Sequence, residues 1–189
     1  MTVTPLEVLH RIRSAEEAER SAPAPYLFDS QAISPTGGRH RTGRGRAFHA
    51  VDLENQLMGN VRAHRVRAWW STYQRTIGVR WDDHLYVALA QRNTHAFLDL
   101  PDTGIKRLVG ANGPDGADHA LINAIDPQWI AQHYTHFYLV SDDKIFTTIA
   151  QEIHTAGVRV IHVHAPDRQH HPTRTAPFHD NINIRHTAA

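Results

Sequence analysis

The sequence predicts an α/β fold, a three-layer α/β/α sandwich around a mostly parallel central sheet of about five strands. Two observations carry this expectation. From residue 47 onward, short apolar runs of strand length alternate with helix-like stretches, the order that covers a parallel sheet on both faces. Runs such as Phe137, Tyr138, Leu139 and Val140 are apolar at every position. That suits a strand buried on both faces better than one half exposed to water.

Thr4 and Pro5 open the first element. A capping hydroxyl, a proline and then Leu6, Val8, Leu9 and Ile12 predict a helix over residues 4–20. Residues 21–46, rich in Pro, Gly, Ser and Arg, read as a basic connector. AFHAVDLEN at 47–55 is the first strand, ending in polar residues. Val61, Val66, Trp69, Trp70 and Tyr73 recur at three- and four-residue spacing and predict a helix over 60–76. HLYVALA at 84–90 is the second strand, 94–100 a short helix, and 105–111 the third strand. After the turn NGPDG, residues 117–125 and 127–134 read as two helices. The fourth strand spans 135–141. A helix over 144–157 follows, with Ile145, Ile149 and Ile153 on one face and Gly157 as its stop. Residues 158–166 form the fifth strand, 167–180 a polar, His-rich loop, and 181–186 a closing edge strand. The chain thus divides into an N-terminal helix with its basic connector (1–46), an α/β domain (47–166) and a His-rich C-terminal segment (167–189).

With 189 residues, 41% of them hydrophobic, the chain can bury a sizeable core. No apolar stretch approaches the ~20 residues needed to span a bilayer. The charged N-terminus lacks a signal-peptide apolar region, so a cytoplasmic location without a membrane partner is expected. The absence of cysteine excludes disulfides, thiolate zinc sites, Fe–S clusters and a Cys nucleophile. Between residues 38 and 80, nine arginines stand against two acids, Asp52 and Glu54, and Arg39, Arg41, Arg44, Arg46, Arg62 and Arg65 lead that run. Guanidinium donors match phosphate oxygens, so these six are candidate nucleic-acid contacts, weighed against a solvated face. Trp69, Trp70 and Tyr73 could stack bases, although their helical spacing favours core positions.

Ligands of open parallel sheets sit beyond the carboxyl ends of the strands. Three strand ends deliver carboxylates there: Asp52, Glu54 and Asn55 after the first, Asn112, Asp115 and Asp118 after the third, and Ser141, Asp142 and Asp143 after the fourth. Gathered carboxylates repel unless a cation or shared protons relieve them, and hard oxygen ligands suit Mg²⁺ or Mn²⁺. The histidines His162, His164, His170 and His171 suggest zinc, but the surrounding loop supplies no firm fourth ligand, so that reading ranks lower. No Gly-rich phosphate loop follows a strand, which disfavours a nucleotide-dependent small-molecule enzyme.

HAVDLENQLMG, GPDGADHALINAI and FYLVSDDKIFTTIAQEIHTAGVRVIHV resemble, in this order, three motifs of the NYN domains, a branch of the PIN-like nuclease superfamily. The resemblance covers roughly residues 47–165 and implies a Rossmann-like, PIN-like fold. It implies a metal-dependent ribonuclease in which Asp52, Asp118 and Asp143 hold Mg²⁺ or Mn²⁺ and Asn55 and Ser141 assist. RNA, single-stranded or structured, is the implied partner, and a homodimer is compatible with it. The sequence departs from the motifs at Asp142, where Gly is usual, and at Ile145, where a second acid often stands. Asn123 and Ala124 occupy the neighbourhood of a further acid. Asp142 and Asp126 are the substitutes the sequence offers. The alternative is a PIN-like scaffold that binds RNA or protein without cleaving.

Overall fold

The computed structural model describes residues 45–102, 104–165 and 180–184, all within the compact unit Gly43–Ala189. The expected helix over 4–20, most of the connector and the His-rich loop lie outside the described residues. The described chain runs β1 (Ala47–Asp52), α1 (Leu53–Gln56), α2 (Ala63–Ile77), β2 (His84–Ala90), a 3-10 helix (Gln91–Asp99), β3 (Ile105–Gly110), α3 (Gly116–Asn123) and α4 (Pro127–His133). There follow β4 (His136–Val140), a 3-10 turn (Lys144–Phe146), α5 (Thr147–Thr155), β5 (Arg159–His164) and β6 (Asp180–Asn183).

All six strands are parallel, in the order β3-β2-β1-β4-β5-β6. The expectation of an α/β sandwich holds, with six strands rather than about five. The sixth is the edge strand anticipated near the C-terminus, paired in parallel with β5. Strand order reverses between β1 and β4, so the crevice at their carboxyl ends is the topological switch point.

β1 is buried along its whole length, and alternation explains how. Ala47 and Val51 face the cluster built with Leu53, Val66, Trp69 and Tyr73. Phe48 and Ala50 face the opposite cluster, which contains Leu121, Ile130, Phe146 and Ile153. Trp69 and Tyr73 are therefore core residues that cannot reach a base. Several boundaries differ from the sequence expectation, and two of them have a plain physical cause. The first strand ends at Asp52 because its carboxylate accepts from the Asn55 backbone and starts a helix there. The short helix over 94–100 is a 3-10 helix starting at Gln91, and it stops before Leu100, which is extended ahead of Pro101. Among the described residues no helix is long and apolar enough to cross a membrane.

One close approach fixes the start of α3. A Cβ on Gly110, the last residue of β3, would lie 2.0 Å from the Gly116 carbonyl oxygen, and one on Gly116 would lie 2.0 Å from that of Ala111. The strand end and the helix start touch backbone to backbone, and only glycine permits it.

Candidate metal centre

At the switch point, Asp52, Asp115, Asp118 and Asp143 line one pocket of about 170 Å³, together with Glu54 and Asn55. Each arrives by a different local route. Asp52 ends β1 and caps α1, with its Oδ1 accepting from the Asn55 amide at 3.1 Å. Asp118 stands in the first turn of α3, and Asp115 precedes that helix in a left-handed conformation, φ +55°. Asp143 follows β4 and caps the next turn by accepting from the Ile145 amide at 3.0 Å. No Lys or Arg is among the pocket's lining residues.

The ligand oxygens of Asp115, Asp118 and Asp143 lie within 4.8 Å of one another, an acidic cluster compatible with a metal ion. Asp52 joins through Asp118. Burial pushes the Asp52 carboxyl well above the usual carboxylate range, the Asp118 charge pushes it further, and the Ser141 and Asn55 hydrogen bonds only partly oppose this. Burial also raises Asp118, which accepts a hydrogen bond from Asp52. A shared proton or a nearby cation is thus favoured over two bare charges on this pair. Asp118 is 7% exposed, and its Oδ1 has no hydrogen-bond partner among the described residues. A buried, unpaired carboxylate oxygen on a residue that lines a pocket with three further aspartates fits a hard divalent ion.

Asn55 and Ser141 position the acids from behind. The Ser141 hydroxyl donates to Asp52 Oδ2 at 3.1 Å and accepts from the Asp143 amide at 3.2 Å. The Asn55 side-chain oxygen accepts from the Asp142 amide at 3.0 Å, tying α1 to the exit of β4. Glu54 borders the pocket but is occupied by the Ala90 amide at 2.9 Å and the Asn93 side chain at 2.6 Å.

Several expected residues fall elsewhere. Asp142 is not a substitute ligand for this pocket. It turns toward β5, where its Oδ1 lies 2.6 Å from His164 Nδ1 and its Oδ2 accepts from the Ala165 amide at 2.9 Å. The hydrogen bond from His164, its charge and the amide hold Asp142 below its ordinary range against the opposing effect of burial. Asp126 caps α4 by accepting from the Gln128 and Trp129 amides at 2.9 and 3.1 Å, so it cannot swing in. Ile145 packs against the core, and the fourth aspartate is Asp115 instead. Asp115 stood among the strand-end residues in the sequence, but only its turn conformation brings it into the pocket.

The arginines separate as well. Arg46 precedes β1, and six residues at ~3.3 Å rise place it about 20 Å from Asp52 at the far end of the sheet. There its guanidinium lies 5.1 Å from the Tyr134 ring and donates to the Asp82 carbonyl. Arg62 and Arg65 stand at the start of α2, which runs back from the carboxyl edge, so they share that edge with the pocket. Arg39, Arg41 and Arg44 lie outside the described residues. The chain matches no protein-family model, no curated protein and no solved structure.

Proposed function

We propose that this chain is a Mg²⁺- or Mn²⁺-dependent ribonuclease of the NYN type, with Asp52, Asp115, Asp118 and Asp143 as the acidic site. The unpartnered Asp118 Oδ1, buried inside a four-aspartate pocket at the switch point, is the observation that carries the reading. A bound ion would supply Lewis-acid stabilisation of phosphate charge and a water of lowered pKa. The protein residues do the positioning. Asp118 and Asp143 present oxygens from two elements, Ser141 and the Asn55 amide orient Asp52, and Asn55 holds the β4 exit against α1. Arg62 and Arg65 supply backbone-directed positive charge at the same edge, which carries no sequence information.

The test is hydrolysis of labelled single-stranded and structured RNA with Mn²⁺, comparing parent protein, Asp52→Asn and Asp143→Asn. Metal clamps contribute several kcal/mol, so each substitution is expected to slow cleavage at least ~100-fold. Equal cleavage by all three proteins would eliminate the proposal. Salt-sensitive RNA binding by a parent that never cleaves would favour the scaffold reading.

A further inference from the structure

Beside the acidic pocket, the ends of β4 and β5 gather three more side chains of metal-binding type. We propose that Asp142, His162 and His164 form a second cation site, built for a borderline transition-metal ion with Zn²⁺ as first choice. Their ligand atoms lie within 4.8 Å of one another, and His162 is 2% exposed.

The His164 ring shows where a cation fits, in the place a proton takes in the metal-free protein. Its Nε2 lies 3.2 Å from Asn181 Oδ1 and its Nδ1 lies 2.6 Å from Asp142 Oδ1. An amide oxygen accepts only, so Nε2 carries the hydrogen. In a neutral ring Nδ1 is then an acceptor facing a carboxylate oxygen, and a proton or a metal ion must stand between them. A ligating histidine whose other nitrogen donates to a fixed oxygen is the arrangement by which metal sites set the tautomer. His162 Nε2 lies 3.5 Å from the same Asp142 oxygen and donates to the Ser141 carbonyl oxygen at 2.6 Å in the metal-free protein, so an ion bound here would take the place of that hydrogen and have the carbonyl oxygen beside it as a fourth donor. Zn²⁺ bonds of about 2.0–2.1 Å put tetrahedral ligand atoms about 3.3 Å apart. The observed 2.6 and 3.5 Å separations bracket that spacing. Imidazole nitrogens favour Zn²⁺ over Mg²⁺, whereas the neighbouring all-carboxylate pocket favours the harder ion. Ligand type therefore sorts ions between two sites one residue apart. A bound Zn²⁺ would clamp the β4 exit to β5 and hold the segment that carries Asp143. This site does not depend on the neighbouring pocket cleaving RNA.

The experiment is calorimetric titration of the metal-free, full-length protein with Zn²⁺ in excess Mg²⁺. One tight equivalent is expected in the parent, in Asp118→Asn and in the double variant His170→Ala/His171→Ala. His162→Ala and His164→Ala should each weaken it at least ~100-fold, and Asn181→Ala about 10-fold, as loss of an outer partner does. Zn²⁺ binding that is absent from the parent, or that is unchanged in both histidine variants, overturns the site. A readout that needs no variant is the NMR spectrum of the Co²⁺-loaded parent, in which hyperfine-shifted imidazole resonances from two histidines are expected. Their absence overturns the site equally. Loss of RNA cleavage in Asp118→Asn with Zn²⁺ binding retained would separate the two centres.

Discussion

Gly110→Ala tests whether the acidic pocket depends on the contact between β3 and α3. The added Cβ would stand 2.0 Å from the Gly116 carbonyl oxygen, 2.3 Å from its carbonyl carbon and 2.6 Å from the Ala117 nitrogen. Ordinary contact begins near 3.4 Å, so the helix start must retreat by about 1.4 Å along the closest line (3.4 less 2.0). No flexible side chain can absorb this, because every atom met is backbone. Overpacking of this kind costs about 1–3 kcal/mol. For a chain of this length that is a Tm loss of roughly 2–12 °C. Asp118 sits two residues beyond Gly116 and moves with it. A displacement of about 1 Å in a positioned group costs about 100-fold in activity, so Mn²⁺ affinity and cleavage should fall further than stability alone explains. Gly78→Ala is the comparison. Gly78 ends α2 at φ +69° with nothing within 4 Å of an added Cβ, so it should cost ~1 kcal/mol and leave Mn²⁺ binding intact. Melting curves and calorimetric Mn²⁺ titration read both effects. A Gly110→Ala protein with the parent's Tm and Mn²⁺ affinity would refute the reasoning.

Two further outcomes follow from buried carboxyls with opposite shifts. Asp52 is raised by burial and by Asp118, so the folded chain keeps a proton that the unfolded chain releases near pH ~3.9, and metal-free stability falls as pH rises above that value. Asp52→Asn, still able to cap α1, should raise the metal-free Tm at neutral pH and shrink the extra stability that Mn²⁺ gives the parent. Melts from pH 5 to 8 with and without Mn²⁺ check this, and a variant less stable than the parent without metal contradicts it. Asp83 is the reverse case. Burial would raise it, but hydrogen bonds from His49 and from the Arg80 and Ala47 amides outweigh burial and hold it well below the ordinary range. Its contribution is present above pH ~3.9 and is lost as acid protonates it. Asp83→Asn should therefore cost ~1–3 kcal/mol at pH 7 and less at pH 3, read by urea unfolding at the two pH values.

The fold was legible because its signals are local. Apolar runs and turn residues located every described strand, and β2 matches its expected bounds of 84–90 residue for residue. The parallel sheet then dictates which side chains reach the carboxyl edge, so the strand-end residues could be listed from the sequence, and the motif resemblance singled out Asp52, Asp118 and Asp143 among them. Asp115 was legible as a strand-end carboxylate but not as a member of the ligand set, because its place in the pocket depends on a left-handed turn that an aspartate tolerates but does not announce. Charge clustering along the sequence misplaced Arg46, because an extended strand carries neighbours to opposite ends of the sheet. The partner of His162 and His164 was also hidden. It is Asp142, twenty residues before His162 and two beyond the end of β4, and the parallel pairing of β4 with β5 carries that exit alongside the end of β5.

The adjacent acids Asp142 and Asp143 show how one strand exit can serve two sites. Like charges on neighbouring residues would repel strongly if both entered one pocket. Asp143 takes the acidic side, while Asp142 takes the histidine side and reaches His164 and the Ala165 amide. Ser141 stands between them and contacts both. Its hydroxyl bridges Asp52 and the Asp143 amide, and its carbonyl oxygen accepts from His162 Nε2 at 2.6 Å. A shift in the backbone at Ser141 would therefore move Asp143 and the oxygen that borders the histidines together. The acidic pocket and the histidine cluster are thus mechanically joined through one residue.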